Sequence, residues 1–173
     1  MNNLFASTER QQILDRLGKL QAGATRQWGK MDAAQMCAHC VAALEVGAGD
    51  VAKEHSFIGK VLGRFVKGSL LGEKPFSKNS PTDPSFIVSD PRDFAVERAR
   101  LVEIVMRFGA AGPSAADGRM HSFFGRLKGD EWGALMYKHL DHHLRLLGAL
   151  GRAGRDHGQA AAVCFRTADA SAT

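Results

Sequence analysis

The densest run of chemically capable side chains is Tyr137-Lys138-His139-Leu140-Asp141-His142-His143-Leu144-Arg145. At about 100° of rotation per residue, a helix places His139 and His143 about 40° apart on one face, one turn from each other. Trp132, Leu135, Met136, Leu146, Leu147 and Leu150 share that face, so both imidazoles are expected to point into a core. Two imidazoles at i and i+4 can chelate one metal ion from a single helix, as in the zinc-protease helix. Leu140 stands where that motif carries Glu, which excludes a metalloprotease. The competing reading is a pair of core histidines bonded to buried polar groups. Leaving both uncompensated costs on the order of several kcal/mol. His142 lies about 60° to the other side of His139, towards Lys138 and Arg145, and is expected at the solvent edge. Asp141 is expected in solvent.

His39 is the natural third ligand. It lies in Met36-Cys37-Ala38-His39-Cys40-Val41-Ala42-Ala43-Leu44, a stretch free of charge, at the edge of the apolar stripe beside Met36 and Ala43. Alone it reads as an ordinary core histidine; facing the other two across a bundle, it completes a ligand set. Cys37-Ala38-His39-Cys40 also spells Cys-x-x-Cys. Redox pairs of that form sit at a helix start after a strand, whereas these fall past the first turn of a helix. Cys164 is too solitary to complete a structural zinc site, and Val41 replaces the His that c-type haem attachment needs. Cys37 and Cys40 therefore read as small core residues. His121, before the last helix, is a candidate to support a ligand or carry a proton, against the plain alternative of a loop histidine. Phe57 to Ser69 reads as a basic amphipathic segment with Lys60, Arg64 and Lys67 on one stripe. Such a segment can lie on an anionic membrane, but a surface helix covering the bundle end explains it more simply.

The elements that must position these groups are helical. All five prolines fall between Pro75 and Pro113, leaving long uninterrupted stretches on either side. Helices are expected from Ser7 or Thr8 to Leu20, and from the Asp32 cap, boxed by Gln35, to Gly47 or Gly49. Two more follow, from Asp90-Pro91 to Gly109 and from Asp130 to Leu150, with long loops over 71–90 and 110–129. The fold class is all-α, a four-helix bundle with an extra short helix. Residues 1–154 form one domain, and the Ala/Gly/Thr-rich 155–173 reads as a flexible tail. The chain has 173 residues, 45% apolar and 24% charged, enough for one real core. Its +5 charge is scattered and interleaved with acids, so no nucleic acid is expected. No apolar run approaches the roughly 18 residues of a membrane span. Three Cys and a start unlike a secretory signal point to the cytoplasm.

Three stretches together carry a resemblance. Trp28-Gly29-Lys30-Met31-Asp32-Ala33-Ala34-Gln35-Met36-Cys37-Ala38-His39 resembles the start of the second helix in the DinB/YfiT-like metalloenzyme superfamily. More narrowly, it looks like a branch catalogued as a domain of unknown function. His121-Ser122-Phe123-Phe124-Gly125 resembles that branch's His-Pro-Phe-Phe-Gly loop, with Ser122 in place of Pro, and Lys138 to Gly148 resembles its His-x-x-His-His terminal helix. The resemblance implies an up-down-down-up bundle, commonly a homodimer, with a metal triad mapping onto His39, His139 and His143. Characterised relatives include thiol transferases and isomerases that use a low-molecular-weight thiol. The expectation is a metal-dependent transferase or hydrolase holding Zn²⁺ or Ni²⁺ on three neutral imidazoles, with a position open to water or a small-molecule substrate. The alternative is a non-catalytic bundle with a structural metal or none.

Overall fold

The computed structural model describes residues 1–57, 59–63, 68, 72, 74–80 and 82–150. The expected tail over 155–173 and part of the basic segment Phe57 to Ser69 lie outside them. Helices α1 (Ser7–Lys19), α2 (Ala33–Ala48), α3 (Phe94–Ala111), α4 (Pro113–Ala116) and α5 (Gly129–Leu146) are joined by a π-helical turn at Gly59–Gly63 and a 3₁₀ turn at Pro84–Phe86. Among the described residues the only strands are β1 (Met120–His121) and β2 (Gly125–Arg126), paired antiparallel. None of the described helices is long and apolar enough to cross a membrane.

Local chemistry explains most boundaries. The α2 capping box is present: Gln35 N–H donates to Asp32 Oδ1 at 2.8 Å, and Asp32 N–H to Gln35 Oε1 at 3.1 Å. Gly49, at φ 82°, closes the helix in the left-handed conformation that glycine adopts without strain. The α3 start differs from the expected Asp90. Asp93 is the cap, accepting from Val96 N–H at 2.9 Å, while Asp90 pairs with Arg92. Nor does α3 stop at Gly109. A Cβ there would come within 2.3 Å of the Arg10 side chain, so this glycine permits a close approach and the helix runs on to Gly112. At the far end α5 stops at Leu146, a turn early, and Leu150 is exposed rather than part of the buried face.

The expected loop over 110–129 contains α4 and the β1–β2 ladder. The ladder forms because His121 Nδ1 accepts from the N–H groups of Phe123 and Phe124, at 3.0 and 3.3 Å. Gly125 supplies the positive φ that the turn requires.

Helix α2 is enclosed on nearly all sides, packed against α3 and α5, while α1 packs across α3 and α5. Ile13, Leu17, Met36, Leu44, Leu101, Trp132, Leu140 and Leu144 are fully buried between them, each contributing about 1.5–3 kcal/mol of transfer free energy. The N-terminal segment is pinned to α5 by Leu4 N–H to Gly133 carbonyl at 3.0 Å, and Phe5 stacks on Phe108. Asp141 is not in solvent. Its carboxylate accepts from Arg16 Nη1 at 2.7 Å and Arg145 Nε at 2.8 Å, and Arg16 Nε reaches the Ala149 carbonyl at 2.8 Å. This buried clasp fixes α1 to the end of α5.

Candidate metal centre

The three imidazoles singled out by helical spacing meet. His39 on α2 is 1% exposed and His143 on α5 is 8% exposed, and His139 is half-buried beside them. One ring nitrogen from each lies within 4.8 Å of the other two. His39 Nε2 is 3.0 Å from His139 Nε2. Two ligand nitrogens on one tetrahedral zinc, at bonds of about 2.0 Å, stand about 3.3 Å apart, so this pair is already close to chelating separation.

Orientation at His39 is set from the other side of the ring. Its Nδ1 lies 2.8 Å from the Phe86 carbonyl oxygen. A carbonyl only accepts, so Nδ1 carries the hydrogen and Nε2 presents its lone pair to the cluster. The carbonyl is held in turn. Asp83 caps the Pro84–Phe86 turn, its Oδ1 accepting from Ser85 N–H at 3.0 Å and Ser85 Oγ–H at 2.7 Å. Asp83 Oδ2 accepts from Ser122 Oγ–H at 2.8 Å, and Lys53 Nζ stands 3.9 Å away. Burial raises the Asp83 pKa, but the Ser85 and Ser122 bonds and the Lys53 charge outweigh it and hold it below the usual carboxylate value.

Burial lowers the pKa of all three imidazoles, most strongly at His139 and His143, where the neighbouring imidazoles add to it; at His39 the Phe86 carbonyl opposes it. The cluster is therefore neutral at pH 7, the state in which imidazole ligates. The competing core-histidine reading needs hydrogen-bond partners for these nitrogens. His139 Nδ1 and His143 Nδ1 are buried with none among the described residues. The donor set is all imidazole, buried and uncharged, which fits Zn²⁺ or Ni²⁺ better than a hard, oxygen-seeking cation.

The remaining candidates stand outside the cluster. His142 is half-buried, with Trp28 at 5.6 Å, Phe76 at 5.9 Å and His143 at 5.2 Å between ring centroids. His121 stacks on Phe124 at 4.5 Å and lies 5.5 Å from Trp132. Burial pushes its pKa down to about 4. It is neutral, with Nδ1 occupied by two backbone N–H groups, so it is not a proton acceptor through that atom. With Phe86, Trp132 and Met136 it lines a cavity of about 20 Å³. Cys37 and Cys40 are buried free thiols. Asp83 and Phe86 were not among the sequence candidates. Asp83-Pro84-Ser85 does carry a cap-then-proline signal, but its meeting with His39 arises only in the fold.

A family model described as a protein of unknown function (DUF1569) matches residues 4–149. The chain belongs to this family. The DUF1569 match spans all three clustered imidazoles, His121 and the Asp83 turn. No curated protein and no solved structure matches the chain.

Proposed function

We propose that this DUF1569 protein is a metal-dependent enzyme of the DinB/YfiT-like superfamily. In this reading α1, α2, α3 and α5 form its up-down-down-up four-helix bundle, acting as a cytoplasmic homodimer. His39, His139 and His143 hold one divalent ion, Zn²⁺ or Ni²⁺, and the reaction is a thiol-dependent transfer or a hydrolysis on a small molecule. The observation that carries the reading is the convergence of three neutral ring nitrogens within 4.8 Å. When bound, such an ion supplies Lewis acidity that brings the pKa of a thiol or water towards neutrality. The chain's own part is positional. The Phe86 carbonyl fixes which nitrogen His39 presents, and α5 sets His139 and His143 one turn apart on a helix that Arg16 clasps.

The enclosure of His39 and His143 favours a second reading, a structural metal in a binding protein. Elemental analysis of untagged protein is expected to find one Zn²⁺ or Ni²⁺ per chain. His39→Ala, His139→Ala and His143→Ala should each lose most of it and His142→Ala should keep it. Equal loss in all four variants would show that the choice of face is wrong. Turnover of 1-chloro-2,4-dinitrobenzene with glutathione, cysteine or other small thiols, abolished by chelator and restored by Zn²⁺ or Ni²⁺, would support the enzyme. Stoichiometric metal with no turnover by any thiol would move the assignment to the structural-metal reading.

A further inference from the structure

On its outer side α5 presents a different surface. An open cleft of about 450 Å³ lies between this face, the 75–78 segment and Trp28. That volume is within the range of small-molecule sites. The clustered histidines do not line it; His142 stands between it and His143. Its walls are aromatic and its rim is cationic. Lys78 Nζ sits 4.9 Å above the Trp28 ring and Lys138 Nζ 4.8 Å above Phe76. The one carboxylate in the lining, Asp141, is already engaged from beneath by Arg16. Arg145 gives only Nε to Asp141, and neither its terminal nitrogens nor Lys78 makes a hydrogen bond or ion pair to a described residue. Trp28 Nε1–H is a buried donor with no acceptor among the described residues.

We propose that this cleft is a binding site for a small organic anion that carries a flat apolar group, a carboxylate or phosphate being its charged end. The flat part lies between the Trp28 and Phe76 walls, where stacking and burial reward an aromatic or conjugated body. The Arg145 guanidinium offers two parallel N–H donors to an oxyanion, the geometry that carboxylate and phosphate share. Lys78 supplies a second positive charge. Lys78, held over the Trp28 face with no carboxylate among the described residues to neutralise it, and the unengaged terminal nitrogens of Arg145 are a charge complement awaiting a ligand. The site is independent of metal occupancy, because none of the clustered imidazoles lines it.

The test uses 2-naphthoate as the probe, 2-naphthamide as its neutral counterpart and inorganic phosphate as the charged end alone. Binding is followed by NMR of the two indole N–H signals of the full chain, with zinc added or with chelator. A probe of about 13 non-hydrogen atoms should bind with a Kd on the order of 0.1–1 mM. It should move the Trp28 signal and leave that of Trp132, whose Nε1 already donates to the Arg119 carbonyl. The amide should bind at least tenfold more weakly. Lys78→Gln and Arg145→Gln should each weaken 2-naphthoate severalfold without altering metal content. Lys78→Gln alone decides the matter if changing Arg145 loosens the Arg16–Asp141 clasp. Equal affinity for acid and amide, unchanged affinity in Lys78→Gln, or an unmoved Trp28 signal at millimolar probe would each overturn the proposal. A response to inorganic phosphate as strong as to 2-naphthoate would overturn its aromatic half.

Discussion

Replacing Asp83 by Ala tests whether the metal centre is built from outside its ligands. The carboxylate touches no imidazole. It holds Ser85 N–H, Ser85 Oγ and Ser122 Oγ, and through the turn it places the Phe86 carbonyl 2.8 Å from His39 Nδ1. Two backbone bonds of the turn survive the substitution, Phe86 N–H to Asp83 carbonyl at 2.9 Å and Ile87 N–H to Pro84 carbonyl at 3.2 Å. The carbonyl is therefore loosened rather than released. Loss of an outer partner of a ligating His costs about 10–100-fold in metal affinity, and the surviving bonds place Asp83→Ala near the lower end, at about tenfold. Loss of the cap itself costs about 1 kcal/mol of stability. Asparagine keeps the accepting oxygen, so Asp83→Asn should stay within about threefold of the parent chain, given that Asn caps as well as Asp. Zinc affinity is measured by competition with a chromophoric chelator at pH 7.5, with circular dichroism verifying that each variant is folded. An Asp83→Ala affinity unchanged from the parent refutes the chain of support from Asp83 to His39. Equal weakening in Asp83→Asn refutes the hydrogen-bond account and leaves only charge.

Three further outcomes are expected. Arg16→Met leaves Asp141 with Arg145 alone and strands the Ala149 carbonyl. Breaking a buried pair costs about 3–5 kcal/mol; with Arg145 retained, urea unfolding should show about 2–3 kcal/mol, and a loss below 0.5 kcal/mol would place the clasp among weak surface pairs. Burial holds the Cys37 thiol up at about 12 and the Cys40 thiol well above its ordinary value. In a Cys164→Ser background, native protein at pH 8 should resist a thiol-specific disulfide reagent that reacts at once in denaturant; rapid native labelling would contradict the burial. His121, at about 4 in the fold, is protonated first in the unfolded chain, below about 6.5. Native stability should therefore fall as pH drops from about 6.5 towards 4, by up to about 3 kcal/mol from this residue. In chelator-treated protein, His121→Gln should flatten that slope by about one proton; an unchanged slope would show that His121 is protonated in the native state.

What was legible in the sequence is what repeats at short range. The Asp32–Gln35 box, a glycine stop placed at Gly47 or Gly49, of which the helix uses Gly49, and the i, i+4 spacing of His139 and His143 are local patterns that appear in the fold. His39 was reachable only in combination: alone it reads as an ordinary core histidine, and the imidazole pair on the last helix makes it the third ligand. Misreadings occur where a distant partner decides. Asp141 looked like a solvent residue because its partner, Arg16, stands 125 positions away. Gly109 looked like a helix stop because nothing nearby reveals that Arg10 packs over it. Asp90 was a different kind of misreading, a local one: it pairs with Arg92, two residues on, and leaves the cap to Asp93. His121 was read as a support for a ligand or a proton carrier, against a plain loop histidine; the bonds its Nδ1 makes within its own turn were not legible in that reading.

The dependence of so much on α5 gives the chain a schedule. The Leu4 amide, the Arg16 guanidinium and the His39 ring each find their partner on this last helix, at separations of 129, 125 and 100 residues. On a ribosome, α1, α2 and α3 emerge first and can associate, but the face of α2 that carries His39 stays uncovered until residues 129–146 are made. Closing contacts of such length is entropically slow compared with docking neighbouring helices. Until that closure, Arg16 and His39 are hydrated side chains of an incomplete core, exposed in the stage at which helical intermediates are most prone to aggregate. A nascent chain halted before α5 therefore lacks more than its final helix: it lacks the surface against which its first forty residues are ordered.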